Sequence, residues 1–396
     1  MKYQIAHTFD PKSGRHTVNG FHSVLHCHHY TVLTTQLAFD AKHFAGEKLL
    51  LETAENTFFN VLGDYFAKNN ITNTTDMLSI AEDYWRTIGM GIIKFTNKGA
   101  LTAEMDYSHI DEGWLKKCGG SDRPVNLFSA GLVSAVAALI NNKTTGSFSV
   151  NETKSLAMGD DVSAFEVLAN PQAQKISPIK KITHNTPETT LSLSLPTHVD
   201  RLKVIAELSK IKVTGNEQGM IPLFGVYLQQ LPIDFWNTFA QRLITSVSPD
   251  MIETAEYLLR NCAHECGYHT GYGIITSTLW NEIIKPMIKD VPADILHGAL
   301  AVFAAWGWAL CEITELKPNE KMIVRAYNYY ESDVQATRPA AYMIQGVSAA
   351  FMDLAYGGKY DVTGKTGMKT FECRQTKGIE IGDPYGEFVV TRCRRG

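Results

Sequence analysis

The sequence predicts an α+β protein made of two tandem modules, each with helices packed on an antiparallel sheet, arranged as a pseudo-twofold pair. Three observations carry this prediction. The segment GDDVSAF at residues 159–165 recurs as GDPYGEF at residues 382–388. Each copy follows a helix-forming run of small apolar residues, LFSAGLVSAVAALI and then AYMIQGVSAAFMDLAYG, in which Val133-Ser134-Ala135 matches Val347-Ser348-Ala349. Upstream of each run comes an amphipathic stretch and then a polar-aromatic strand region, WRTIGMGIIKFTNKGALTAEMDYSH and FAAWGWALCEITELKPNEKMIVRAYNYYE. Elements that recur in one order indicate a duplication.

Each half therefore reads as helix, helix, strands, helix and a closing hairpin. VNETKSLAM with AFEVLA forms the first hairpin, and TFECRQ with EFVVTR the second. Gly159-Asp160 and Gly382-Asp383 belong to the turns, not to acid chemistry, because Gly accepts positive φ and Asp bonds to nearby backbone. A further overlay lays HSVLHCHHYTVLTTQL on HECGYHTGYGIITSTL, with Tyr30 on Tyr272 and Leu37 on Leu279. The expected boundaries are residues 1–169 for the first module, 170–200 for a linker, and 201–396 for the second module with an extra N-terminal segment. The linker carries four prolines and many Ser and Thr residues, which excludes a single helix. Between residues 201 and 252, RLKVIAELSKI, LFGVYLQQL and FWNTFAQRLI have no counterpart in the first half and read as an insertion or a lid.

A chain of 396 residues with a formal charge of -4 has room for a sizeable core and no broad attraction to phosphates. Nucleic acid is not an expected partner; the terminal RCRRG reads as a solvated tail. The start lacks a basic segment followed by an apolar core, and no later run is long enough to span a bilayer, so a cytoplasmic, unanchored protein is expected. Seven scattered cysteines do not resemble a disulfide framework, and reduced thiols are expected. The sequence has no Walker loop, dinucleotide fingerprint, nucleophile elbow or HExxH motif.

The stretch FHSVLHCHHYTVLTTQLAF at residues 21–39 concentrates the chemistry. Read as a helix, it places His22, His26 and His29 at i, i+4 and i+7, on the stripe continued by Leu33 and Leu37. Three inward imidazoles need hydrogen-bond partners or a metal, and their nitrogens suit an open zinc, iron or copper site. Read as extended, it puts His26 and His28 on one face and Cys27 with His29 on the other, and the three-histidine site is lost. Spacing leaves both readings open. Cys262, Cys266 and His269 repeat the i, i+4, i+7 spacing, where buried inert thiols are an equal reading. Trp306, Trp308, Tyr327, Tyr329 and Tyr330 form either an aromatic cavity wall or ordinary core, with Trp85 and Tyr107 as their first-half counterparts.

The order of elements and the two closing hairpins, a Glu followed by G-D-x-x-x-x-F, resemble the vinyl-reductase domain, also called the predicted hydrocarbon-binding domain. Both halves would be divergent copies. The resemblance implies α+β modules that pair with a second copy, are related to a vesicle-tethering subunit fold, and in sensor proteins enclose small aromatic ligands such as phenols. The family hairpin often carries a Glu and two cysteines that help to hold zinc. Here Glu152 is kept, but Ser155 and Ser163 stand at the cysteine positions, and Gln375, Gly378 and Gly386 stand at the three places in the second half. Serine and glycine offer no thiolate, so this zinc is expected to be missing from both halves; Cys373 is nearby but out of register.

Two functions follow. The resemblance implies binding of a small hydrophobic or aromatic molecule in a cavity of the first module, with the second module completing the fold; the candidate lining residues are His28, Tyr30, Trp85 and Tyr107. The alternative is a metal-dependent enzyme acting on a small molecule. Iron or zinc would sit on His22, His26 and His29, joined by His28 or Glu152, to polarise a substrate or activate water or dioxygen. No catalytic residue is identifiable. Expected partners are the small ligand and, from the pairing of modules, a second copy of the chain in a homodimer, with no membrane. A tethering role would require an exposed apolar patch.

Overall fold

The computed structural model describes residues 2–41, 44–170, 195–211 and 213–393. The first half begins with β1 (His7–Asp10), β2 (Arg15–Val18) and β3 (Phe21–Cys27), followed by α1 (His28–Asp40), α2 (Gly46–Lys68) and α3 (Thr74–Thr87). Then come β4 (Gly91–Lys98), β5 (Ala100–Ser108), α4 (His109–Cys118), α5 (Leu127–Ile140) and the hairpin of β6 (Phe148–Lys154) and β7 (Ser163–Ala169). The second half starts with α6 (Arg201–Ser209), β8 (Ile221–Leu223), β9 (Val226–Pro232), α7 (Ile233–Ser246), α8 (Ile252–Thr276), α9 (Thr278–Ile283) and α10 (Ala293–Ala305). It ends with β10 (Leu310–Lys317), β11 (Lys321–Tyr327), α11 (Tyr342–Tyr356), β12 (Phe371–Lys377) and β13 (Gly386–Arg392). Residues 171–194 of the expected linker and 394–396 of the basic tail lie outside the described residues.

The fold is α+β, and its two halves share their wiring. One sheet runs β4-β5-β7-β6 and another β10-β11-β13-β12. Each closing hairpin has a bulge at the same place, with Thr153 or Thr376 as the extra residue. Just before the bulge, Glu152 and Gln375 play the same part: each accepts the backbone N–H of the residue just ahead of the preceding small-residue helix, Asn126 at 2.9 Å and Ala341 at 3.0 Å. Those helices are apolar all round because they are covered all round. α5 lies on α2 and on its hairpin, and α11 on α8 and on its own. Gly131 and Gly346, each the fifth residue of its helix, permit the contact. A Cβ on Gly131 would meet Ala54 Cβ at 2.4 Å and Glu55 N at 2.8 Å; one on Gly346 would meet His264 N at 2.4 Å. This alignment puts Val133 on Ser348, one residue away from the Val-Ser-Ala match, because backbone clearance outranks side-chain likeness at a helix crossing.

The halves join through β3 and β9, neighbours in a sheet of order β1-β2-β3-β9-β8. Ser23 faces Pro232 and Cys27 faces Leu228, a register that is unchanged when the strands are exchanged. Each strand is entered through a two-residue turn with positive φ at both positions, Asn19-Gly20 (49° and 88°) and Phe224-Gly225 (54° and 71°), as type I′ hairpins require. Each strand leads into a helix that packs on the other half, α1 on α8 and α7 on α2.

This arrangement decides one open reading and corrects two expectations. Of the two readings of residues 21–39, the extended one holds to Cys27 and the helical one from His28, because β9 supplies the backbone partners that make the first part extended. The segments after residue 201 are not an insertion or a lid, since β8, β9 and α7 stand to the second half as β2, β3 and α1 stand to the first. The overlay of HSVLHCHHY on HECGYHTGY fails because the latter lies in α8, which packs on α11 as α2 packs on α5.

Candidate functional site

The β3–β9 pair sets His26 opposite Gln229, and opposed residues of an antiparallel pair project from one face. Both are fully buried. The His26 ring lies 4.7 Å between centroids from Tyr30 in the first turn of α1 and 4.6 Å from Trp236 in the first turn of α7. Trp308, just ahead of β10, lies 4.7 Å away, and Tyr330 5.7 Å. Trp308 is anchored by its indole N–H, which donates to the Leu25 carbonyl at 2.6 Å. The cage thus takes its walls from both halves.

Five of its polar atoms lack a partner among the described residues. Both ring nitrogens of His26, the amide nitrogen and oxygen of Gln229, and Trp236 Nε1 make no hydrogen bond to any described residue. Burial holds the His26 imidazole well below its usual pKa, so it is neutral, with one nitrogen donating and the other accepting. Buried polar groups are paired in the great majority of cases, and each orphan costs roughly 1–3 kcal/mol. Five orphan atoms on His26 and on two residues that flank it make the cage a candidate binding site. Close by, Glu331 accepts the N–H groups of Met343 at 2.8 Å and Ile344 at 3.2 Å, and burial pushes its carboxyl up to about 8. Burial, reinforced by Glu331, keeps the Tyr30 and Tyr330 phenols protonated.

The expected site residues divide among several places. His22 has a side chain 46% exposed and sits beside Arg15, at 3.2 Å, and Asp333, at 3.9 Å. His29 lies in the first turn of α1, with its ring 4.1 Å from His28 and 5.4 Å from His269. The three imidazoles of the expected metal site therefore have three surroundings, because the chain passes from strand to helical periodicity between His26 and His29. Among the described residues, no group of three or more His, Cys, Asp or Glu side chains is placed to hold a metal ion. His28 accepts the Tyr227 N–H through Nδ1 at 3.2 Å, and burial together with the Lys116 charge lowers it to about 4. Tyr30 is in the cage. Trp85 is instead buried in the first-half core, 5.1 Å from Phe58, and Tyr107 is 40% exposed on β5. Gln229 and Trp236 escaped sequence reasoning, although two adjacent glutamines in the apolar strand VYLQQLP were a legible sign.

The hairpin positions at which the resemblance implied zinc are filled by hydrogen bonds. Asp111 accepts from Ser155 Oγ at 3.0 Å, Ser163 Oγ at 2.9 Å, the Ala157 N–H at 2.9 Å and the Asn126 amide, which also donates to Glu152 at 2.8 Å. In the second half the Tyr329 hydroxyl and the Gln375 amide donate to Glu380. A Cβ on Gly378 would lie 2.6 Å from Glu380 Oε1, and one on Gly386 would lie 2.8 Å from the Tyr329 ring. Zinc in such closed sites takes sulfur and nitrogen ligands. These sites offer oxygens that are already engaged, and burial pushes the Glu152 carboxyl up to about 7. The donors do not fit the family's metal. Asp160 and Asp383 each accept a backbone N–H at 2.8 Å, from Ser155 and Gly378, and so close the hairpin turns.

Two small cavities lie close to the cage, one lined by Gly267, Gly271, Phe303, Trp306 and Trp308 and the other by His16, Leu25, Phe224 and Trp306. Each measures about 10 Å³, room for no more than one water. No helix of the described residues is long and apolar enough to cross a membrane. No family model matches the chain, and no curated protein matches it in sequence. Among solved structures it is similar to the phenol-responsive sensory domain of the transcription activator PoxR, crystallised with phenol, at 13% identity and a TM-score of 0.33 over 48% of this chain and 88% of that one. Agreement this low leaves the functional reading to the chain's own residues.

Proposed function

We propose that this chain binds a small aromatic molecule bearing a polar group, in the cage around His26. The observation that carries the reading is the set of unpartnered polar atoms on His26, Gln229 and Trp236 inside an aromatic wall. An aromatic ring would stack against Trp236 or Trp308, and its polar group would hydrogen-bond one ring nitrogen of His26 and the amide of Gln229. The resemblance of the two hairpins to the vinyl-reductase domain implies a ligand of the same class. In this reading the modules at residues 1–169 and 201–396 share one site instead of holding one each. Since the adjoining cavities are water-sized, the ligand enters by displacing a cage wall.

The test is a titration of phenol, cresols, benzoate and cyclohexanol into wild type, His26→Phe and Gln229→Leu, followed by tryptophan fluorescence and calorimetry. The expected result is saturable binding of an aromatic member of the panel to wild type, weakened about 10- to 100-fold by His26→Phe, the loss of one buried hydrogen bond. Equal affinity in all three proteins, or no saturable binding by any of the four, would overturn the assignment.

A further inference from the structure

One residue beyond His26, Cys27 ends β3 and is the N-cap of α1, while Cys266 lies in α8 of the other half. Their Sγ atoms are 3.4 Å apart, and Thr270 Oγ1, one turn further along α8, is 2.7 Å from Cys27 Sγ. Both thiols are fully buried. Cys262 is turned aside to the Leu33 carbonyl at 3.8 Å, and Cys118 is exposed.

We propose that Cys27 and Cys266 are an oxidisable dithiol that closes to a disulfide joining the two halves of the chain. The oxidant class is a hydroperoxide, with hydrogen peroxide as the smallest member. Cys27, at the positive end of α1 where a thiolate is favoured, attacks one peroxide oxygen. The O–O bond breaks, a sulfenic acid forms on Cys27, and the departing hydroxide takes up the thiol proton as water. The Cys266 sulfur then attacks the Cys27 sulfur, the S–O bond breaks, and the second hydroxide leaves with the Cys266 proton as water. The two thiols lose two electrons, and the peroxide gains them. Closure from 3.4 Å to a bond of about 2.05 Å asks for a shift of roughly 1.4 Å, within reach of side-chain rotation. The bond would pin the end of β3, next to His26, to α8.

The test treats the full chain with hydrogen peroxide, alkylates the remaining thiols in denaturant, and maps the cysteine peptides by mass spectrometry without reduction. The expected result is a Cys27–Cys266 linked peptide and a Tm raised by roughly 5 °C or more, both reversed by dithiothreitol and both missing in Cys266→Ser. Recovery of Cys27 and Cys266 as alkylated thiols in wild type whose Cys118 has been oxidised would overturn the proposal. A Cys262–Cys266 link in place of the expected one would do the same. Neither outcome bears on ligand affinity, so this inference and the aromatic site stand or fall separately.

Discussion

Replacing His26 with Phe separates a binding residue from a core residue, because stability and affinity should move in opposite directions. The phenyl ring keeps the aromatic contacts with Tyr30, Trp236 and Trp308 and removes two buried nitrogens without partners. Relieving two orphans at roughly 1–3 kcal/mol each yields about 2–6 kcal/mol, and the larger ring returns about 1–3 kcal/mol of that as overpacking. A net stabilisation of about 2 kcal/mol is expected. At about 2.1 cal/mol/K per residue over 396 residues, each kcal/mol shifts Tm by about 1 °C, so the variant should melt about 2–3 °C higher. Differential scanning calorimetry without ligand measures the first half of the prediction and the ligand titration the second. A Tm that falls by more than 2 °C would show that the imidazole nitrogens are satisfied in solution, and the reasoning from orphan atoms would fail.

Three other perturbations test the frame around the site. Asp111→Ala leaves Ser155, Ser163 and Asn126 without their shared acceptor and should cost about 3–5 kcal/mol of stability, read by urea denaturation, while a chelator should leave the Tm of wild type where it was. Gly346→Ala forces the α8–α11 crossing apart and should cost about 2–4 kcal/mol, with Gly131→Ala costing as much on α2 and α5; a cost under 0.5 kcal/mol in both would refute the close approach. The pH profile of Tm should peak near 6.5. Burial lowers His16 and His28 to about 4 and His109 to about 3, so their contribution is present above their ordinary value of 6.5 and is lost as pH falls through the folded values, by up to about 4 kcal/mol per pH unit near pH 5. Glu331, raised by burial to about 8, contributes stability below its ordinary value of 4.5 that is lost as pH rises through 8. Glu331→Gln should therefore flatten the alkaline limb and steepen the acid limb between pH 4.5 and 6.5, each by up to about 1.4 kcal/mol per pH unit.

The sequence by itself determined the α+β class and the recurring hairpins, because those depend on local chemistry. Small residues along one helix, a Gly-Asp turn and alternating apolar strands each encode their element within a few residues. The serines and glycines at the hairpin positions also announced that thiolate ligands were missing, since the choice of ligand atom is a property of the residue type. Tertiary structure alone decided where the helix of His28–Asp40 begins and what His26 touches. The stretch FHSVLHC is compatible with either period, and it is extended because β9, far away in the chain, completes its backbone hydrogen bonds. The same pairing divides His22, His26 and His29 among three environments and sets His26 among Trp236, Trp308 and Tyr330 from the other half. A cage whose walls are so distant in sequence has no periodicity to read, because the only thing that brings its members together is the packing of one half on the other.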